Sequence, residues 1–217
     1  GSWPTYYSRA KGIRLWGIDN KKFLDFTMVG VGTSVLGYSD KSINESAIKA
    51  IKSGSMTTLN VPEEVELAEM LTKIHPWADS VRYARTGGES MTIAIRIARA
   101  YTKRDMIAYC GTGGVWHDWQ AAMVSRDGGV PKFNQELIKI FDYNDSDGLE
   151  QIFEDFPEKI AVVVLEPTMF EEPKNDFLQK VRKIVDQNNS MLVLDEIVTG
   201  FRFDIGGAQK YFDIKGD

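Results

Sequence analysis

The stretch LVLDEIVTGFR, residues 192–202, decides how this chain is read. Leu192, Val193 and Leu194 read as a hydrophobic strand that stops on a carboxylate, Asp195, and runs into a turn. A carboxylate at the end of an apolar strand is costly to bury unless it meets a cation. In open α/β sheets that edge is also where ligands bind. Asp195 is therefore the strongest single candidate for a site, and a protonated ring nitrogen is a partner that fits it. Glu196 points to the opposite side of the extended chain and reads as structural. Ile197 returns to the side of Asp195, where it can support one face of such a ring.

Working upstream, IAVVVLEP at 160–167 is an uninterrupted apolar strand that also ends on an acid, Glu166. Further strands are expected at 106–110 and 137–141, with a short one at 81–84. Amphipathic helices are expected at 147–156 and 176–187. Apolar strands alternating with amphipathic helices predict an α/β fold whose mostly parallel sheet has helices on both faces. A helix is expected after Pro62, with acids in its first turn. Another spans 89–101, with Ile93, Ile97 and Tyr101 on one face and Ala94 and Ala98 beside it. GIRLWGIDNKKFLDF at 12–26 alternates around an Asp-Asn turn and reads as a β-hairpin. A short helix is expected at 42–51. The first residues differ in texture from the rest, so 1–45 is assigned to an N-terminal lobe and 46–217 to a larger domain.

Composition sets outer limits. The chain has 217 residues, of which 43% are hydrophobic, enough for a sizeable core. Its formal charge is -5 with acids spread along it, which argues against nucleic-acid binding. The single cysteine, Cys110, rules out an intrachain disulfide and points to the cytoplasm. No apolar run reaches membrane-spanning length. His, Cys and carboxylates do not cluster in a pattern suited to a metal.

Three other places can carry chemistry. TGGES at 86–90 joins a strand to a helix. Its glycines let the backbone approach a ligand, and the helix start presents unpaired N–H groups, a natural seat for phosphate. An ordinary strand-to-helix turn has the same composition. GVWHDW at 114–119 places Trp116 and His117 where a ring can lie flat on a planar cofactor, whereas Trp119 reads as core. Arg202 is either an anion ligand or half of a fold-stabilising ion pair.

Taken together and in order, these motifs resemble class III pyridoxal-phosphate-dependent aminotransferases, in the branch that includes glutamate-1-semialdehyde aminomutase. The hairpin at 12–26, the block from 63 to 105, LEP at 165–167, LVLDEIVTGFR and GGAQKYF at 206–212 all take part. The resemblance implies the large domain of a fold-type I pyridoxal-phosphate-dependent transferase, incomplete at its C-terminus. It implies pyridoxal 5'-phosphate as cofactor. Asp195 would hold the pyridinium nitrogen and Ile197 would back the ring. Gly87 and Gly88 would offer amides to the phosphate, with the Thr86 hydroxyl beside them, and Glu166 would lie near the phenolic side. The family loop reads Ser-Gly-Thr where this chain has Thr86-Gly87-Gly88. The family's aromatic–His–Gly triplet is replaced by GTGGV at 111–115, so either Trp116 and His117 stack on the ring or Thr112 and Gly113 take that place. The Schiff-base lysine of the family is expected beyond Asp217, and Lys210 and Lys215 read as surface residues.

The function implied is an aminotransferase or aminomutase that moves an amino group from a small-molecule donor to a keto or aldehyde acceptor. The chain as given would lack the catalytic lysine. A homodimer is expected by the same resemblance. The alternative is a non-catalytic domain of the same fold with an assembly or regulatory role.

Overall fold

A computed structural model describes residues 3–27, 30, 32–54, 57–111, 117–121, 129–168 and 171–217. The chain divides into two compact units, residues 1–65 and 66–217, with the division inside the first turn of a helix.

The first unit is built on a three-stranded antiparallel sheet of β1 (Tyr7–Lys11), β2 (Arg14–Gly17) and β3 (Lys22–Leu24), in that order. The expected hairpin is β2–β3. Its Asp-Asn turn closes through Asn20 N donating to Gly17 O at 2.9 Å, with Asn20 in the left-handed region. The first strand was not foreseen, because its sequence, YSRAK, is mostly exposed and depends on β2 for its pairing. Helix α1 (Lys41–Ser53) starts where Asp40 accepts from Ile43 N at 3.1 Å. Buried Asp25 is satisfied by the Thr27 amide and hydroxyl and by Tyr38 Oη at 2.6 Å.

Helix α2 (Pro62–Ile74) opens with Pro62 in its first turn, where a missing N–H costs nothing, and with Glu63 and Glu64 against the positive end of the helix. The second unit then carries a four-stranded sheet in the order β5-β4-β6-β7, all neighbours parallel. Its strands are β4 (Met106–Cys110), β5 (Ile138–Phe141), β6 (Ile160–Leu165) and β7 (Met191–Leu194). Every residue of β4 and β6 is buried, as the unbroken apolar runs predict for strands covered on both faces. Helices α6 (Ser146–Asp155) and α7 (Phe177–Gln187) cover one face, packing Leu149, Leu178 and Val181 against Ala108, Val163 and Leu192. Helix α3 (Gly87–Thr102) covers the other, packing Met91, Ile95 and Ala98 against Ile107, Tyr109, Val162 and Val164. Short helices α4 (Asp118–Ala121), α5 (Lys132–Glu136) and α8 (Gly207–Tyr211) complete the unit.

Two expectations are corrected. Residues 81–84 carry no strand. Strand character there needs a ladder partner, and instead Val81 and Arg82 share the lining of a cavity of about 940 Å³ with Val193 and Leu194 of β7. Helix α3 does cover the sheet, but through Gly88, Met91, Ile95 and Ala98, while Ile97 and Tyr101 are 57% and 75% exposed. The helix has two apolar stripes, and the one holding small Gly88 and Ala98 lets its backbone lie close to the strands.

Candidate functional site

The strand periodicity places the acids. Leu165 and Leu194 point toward the α6–α7 face, so Glu166 and Asp195, one residue further on, fall on the α3 face. They sit side by side, because β6 pairs with β7 through Leu165 and Leu194, and Asp195 N extends the ladder by donating to Leu165 O at 2.9 Å. Asp195 Oδ1 accepts from Ile197 N at 3.0 Å. Burial, opposed by that hydrogen bond and aided by the negative charge of Glu196, raises the Asp195 carboxyl above the usual range. Burial, and then the charge of Asp195, pushes Glu166 up to about 7. On the same face, burial and the charges of Asp195 and Glu166 hold the Tyr109 phenol well above its ordinary value. Burial also pushes the Cys110 thiol up to about 12, so it stays a neutral core group.

Helix α3 begins beside these acids. Thr86 caps it, accepting from Glu89 N at 3.2 Å, while Glu89 Oε2 reaches back to Arg85 N at 2.8 Å. Those two bonds leave the first amides, on Gly87 and Gly88, aimed out of the helix start, where the backbone dipoles favour an anion. Gly87 is also the point of contact with the β7 end. A Cβ there would run into Cδ1 of Ile197 and lie 3.1 Å from its Cγ1. The helix start and the carboxylate of Asp195 thus meet at a single residue, Ile197, whose side chain lies against Gly87, whose amide donates to Asp195, and which is 55% exposed. Gly87→Ala is expected to destabilise the chain by about 1 kcal/mol, and Ile197→Ala in the same chain to recover most of that. Urea unfolding of the two single variants and the double variant measures the coupling, and additive effects would contradict the contact.

Other sequence candidates are placed as follows. Glu196 turns away from Asp195 and accepts from the Thr199 hydroxyl at 2.6 Å and from the Ala208 and Gln209 amides at 2.8 and 2.7 Å. Trp119 is core, as expected, with its indole N–H on Thr92 Oγ1 at 3.1 Å and its ring edge-on to Tyr109. His117 is half-buried and its carbonyl accepts from Ala121 N at 2.8 Å. Trp116, Thr112 and Gly113 lie outside the described residues. Arg202 is exposed and has partners. Lys210 pairs with Asp204 at 2.9 Å, and the Lys215 ammonium lies 5.7 Å from the Trp77 ring. Among the described residues no cluster of His, Cys, Asp and Glu suits a metal ion, and no helix is long and apolar enough to cross a membrane. Sequence reasoning missed Tyr109, which lies in the strand before the Gly-rich turn, and the part played by Glu196.

The donor set fits an anionic, planar, cationic-ringed cofactor. Among the described residues the Gly87 and Gly88 amides and the desolvated Asp195 carboxylate have no partner of opposite charge, and Ile197 lies against Gly87 while its amide donates to Asp195.

Comparison with known proteins agrees with this chemistry. A family model described as Aminotransferase class-III matches residues 1–212. The glutamate-1-semialdehyde 2,1-aminomutase of Acetivibrio thermocellus is 33% identical over 100% of this chain and 54% of its own length. The 3-aminobutyryl-CoA aminotransferase of Cloacimonas acidaminovorans is 34% identical over 100% of the chain and 53% of its own. Among solved structures, an omega-transaminase from Sphaerobacter thermophilus superposes with a TM-score of 0.90 at 27% identity, over 100% of this chain and 54% of that one. A beta-phenylalanine aminotransferase from Variovorax paradoxus gives 0.87 at 25% identity, over 100% and 50%. The chain spans about half the length of the curated relatives it matches.

Proposed function

We propose, from the premise that this chain belongs to the class-III aminotransferase family, that it binds pyridoxal 5'-phosphate between the start of α3 and the end of β7. In the whole protein it serves to move an amino group from a small-molecule donor to a keto or aldehyde acceptor. One observation carries the proposal: the Ile197 side chain lies against Gly87 while the Ile197 amide donates to Asp195 Oδ1 at 3.0 Å, which is the proximity that a coenzyme reaching both places needs.

Pyridoxal phosphate supplies an electron sink for the carbon that loses its proton. Asp195 holds a positive charge on the ring nitrogen, which is what makes that sink effective. The Gly87 and Gly88 amides and the Thr86 hydroxyl hold the phosphate. Ile197 backs one face of the ring and His117 serves the other, while Trp116, the second candidate for that face, lies outside the described residues. Glu166, poised near neutrality, holds a proton it can donate to the phenolic oxygen.

Titration of the chain with pyridoxal phosphate, followed by absorbance and by competition with inorganic phosphate, tests the proposal. One equivalent is expected to bind, phosphate to compete, and borohydride to fix the cofactor to no single lysine of this chain. Absence of saturable binding, or a defined adduct at Lys210 or Lys215, counts against it.

A homodimer goes with this proposal. Leu67 and Met70 on α2 and Ile97 and Tyr101 on α3 are exposed apolar residues that association would cover. A cytoplasmic location goes with it too, in keeping with one free, buried thiol.

A further inference from the structure

Glu196 follows the ring-nitrogen carboxylate directly, yet its side chain serves another element. Its two oxygens take three hydrogen bonds: Thr199 Oγ1 at 2.6 Å, Ala208 N at 2.8 Å and Gln209 N at 2.7 Å. Its carbonyl takes a fourth, from Gly200 N at 2.8 Å. The fit is close on the α8 side. A Cβ on Gly207 would lie 2.5 and 2.6 Å from the two carboxylate oxygens, and Gly207 adopts a φ of 76°, so only glycine leaves room for the acid. Thr199 is buried. The turn after β7 is therefore gathered on Glu196 by Thr199 and Gly200, and through the Glu196 carboxylate it is tied to the Ala208 and Gln209 amides of α8. Asp195 and Ile197 flank the residue at the centre of that tie. Asp195 is otherwise held by its amide on Leu165 and by the Ile197 amide on its own carboxylate. Rotation of the 196 peptide would move both the acid and the side chain resting on Gly87.

We propose that Glu196 is a positioning residue for the cofactor site: by clamping the turn to the first amides of α8 it fixes the directions of Asp195 and Ile197. It rests on the cofactor assignment made above for those two residues. The clamp also gives the second carboxylate its own donors, so that Asp195 alone is left to meet a cation. A half-satisfied clamp should loosen the site without unfolding the sheet, because β6 and β7 are held by their own ladder.

The series Thr199→Val, Glu196→Gln and Glu196→Ala removes the donors and acceptors of the clamp stepwise. Each variant is titrated with pyridoxal phosphate, and amide hydrogen exchange is followed at 196–200 and at Val162–Val164. Affinity is expected to fall in that order, on the order of tenfold for Glu196→Gln. Exchange should quicken at 196–200 while the β6 amides stay protected. Unchanged affinity in Glu196→Gln overturns the proposal. So does a loss of affinity accompanied by equal loss of protection in β6, which marks a role in the fold as a whole. If the unaltered chain itself fails to bind, the cofactor assignment falls, and exchange at 196–200 then decides by itself whether Glu196 holds the turn.

Discussion

Asp195→Asn should lower the affinity for pyridoxal phosphate by on the order of 10²- to 10³-fold, which corresponds to losing one desolvated, charge-assisted hydrogen bond. The substitution is close to isosteric. The asparagine oxygen still accepts from Ile197 N, so the turn keeps its shape. What would be lost is the negative charge that the proposal sets against the ring nitrogen. The same change should leave the cofactor-free chain as stable as before or slightly more so. Burial disfavours the ionised Asp195 carboxylate, and the amide removes that penalty. Lower affinity with undiminished stability distinguishes a ligand-facing acid from a structural one. Equilibrium titration and urea unfolding of the same samples read the two quantities. Affinity within threefold of the unaltered chain, or a marked loss of stability, would remove Asp195 from the site.

The cofactor-free chain should also lose stability as the pH is raised from about 5 to 7.5, by about 2–3 kcal/mol. Folding raises the Glu166 carboxyl from 4.5 to about 7. Within that window the folded chain retains a proton that the unfolded chain has released, so raising the pH favours unfolding. Asp195, shifted upward as well, acts in the same direction at the lower end. The acids shifted downward, Asp19, Asp25, Glu171 and Asp204, are nearly all ionised in both states above pH 5, and the few protons still held there by the unfolded chain add only a small slope of opposite sign. Tyr109 and Cys110 titrate well above it. Glu166→Gln is expected to flatten most of the dependence. Urea unfolding at several pH values measures it, and a flat or rising profile in the unaltered chain would contradict the desolvated acid pair.

The parallel sheet was legible because burial on both faces leaves a signature in the residues themselves: MIAYC and IAVVVL admit no solvent-facing position. The acids at the strand ends were legible for the same reason, since Asp195 and Glu166 break those runs. Glycines 87 and 88 were visible as a turn, but their meeting with Ile197 is tertiary and no local pattern announces it. Residues 81–84 have strand-forming composition, yet a strand is a relation between two segments, and sequence supplies only one of them. Helix α3 shows the limit of periodicity, because Ile97 and Tyr101 make as good an apolar stripe as Met91 and Ile95. Glu196 could be turned away from Asp195 by strand alternation alone. Its attachment to Ala208 and Gln209 depends on a chain reversal that no local pattern encodes, although the glycine pair at 206 and 207 hints that something approaches there.

The link from Glu196 to α8 makes two separate motifs one inheritable part. Anyone grafting this anion onto another scaffold would have to carry everything from Asp195 to Gln209, since a transplanted acid without its glycine-bearing anchor would arrive with its neighbour unmoored. By the same logic, a lineage that replaced Gly207 with a larger residue would have to move or give up the acid at 196 too.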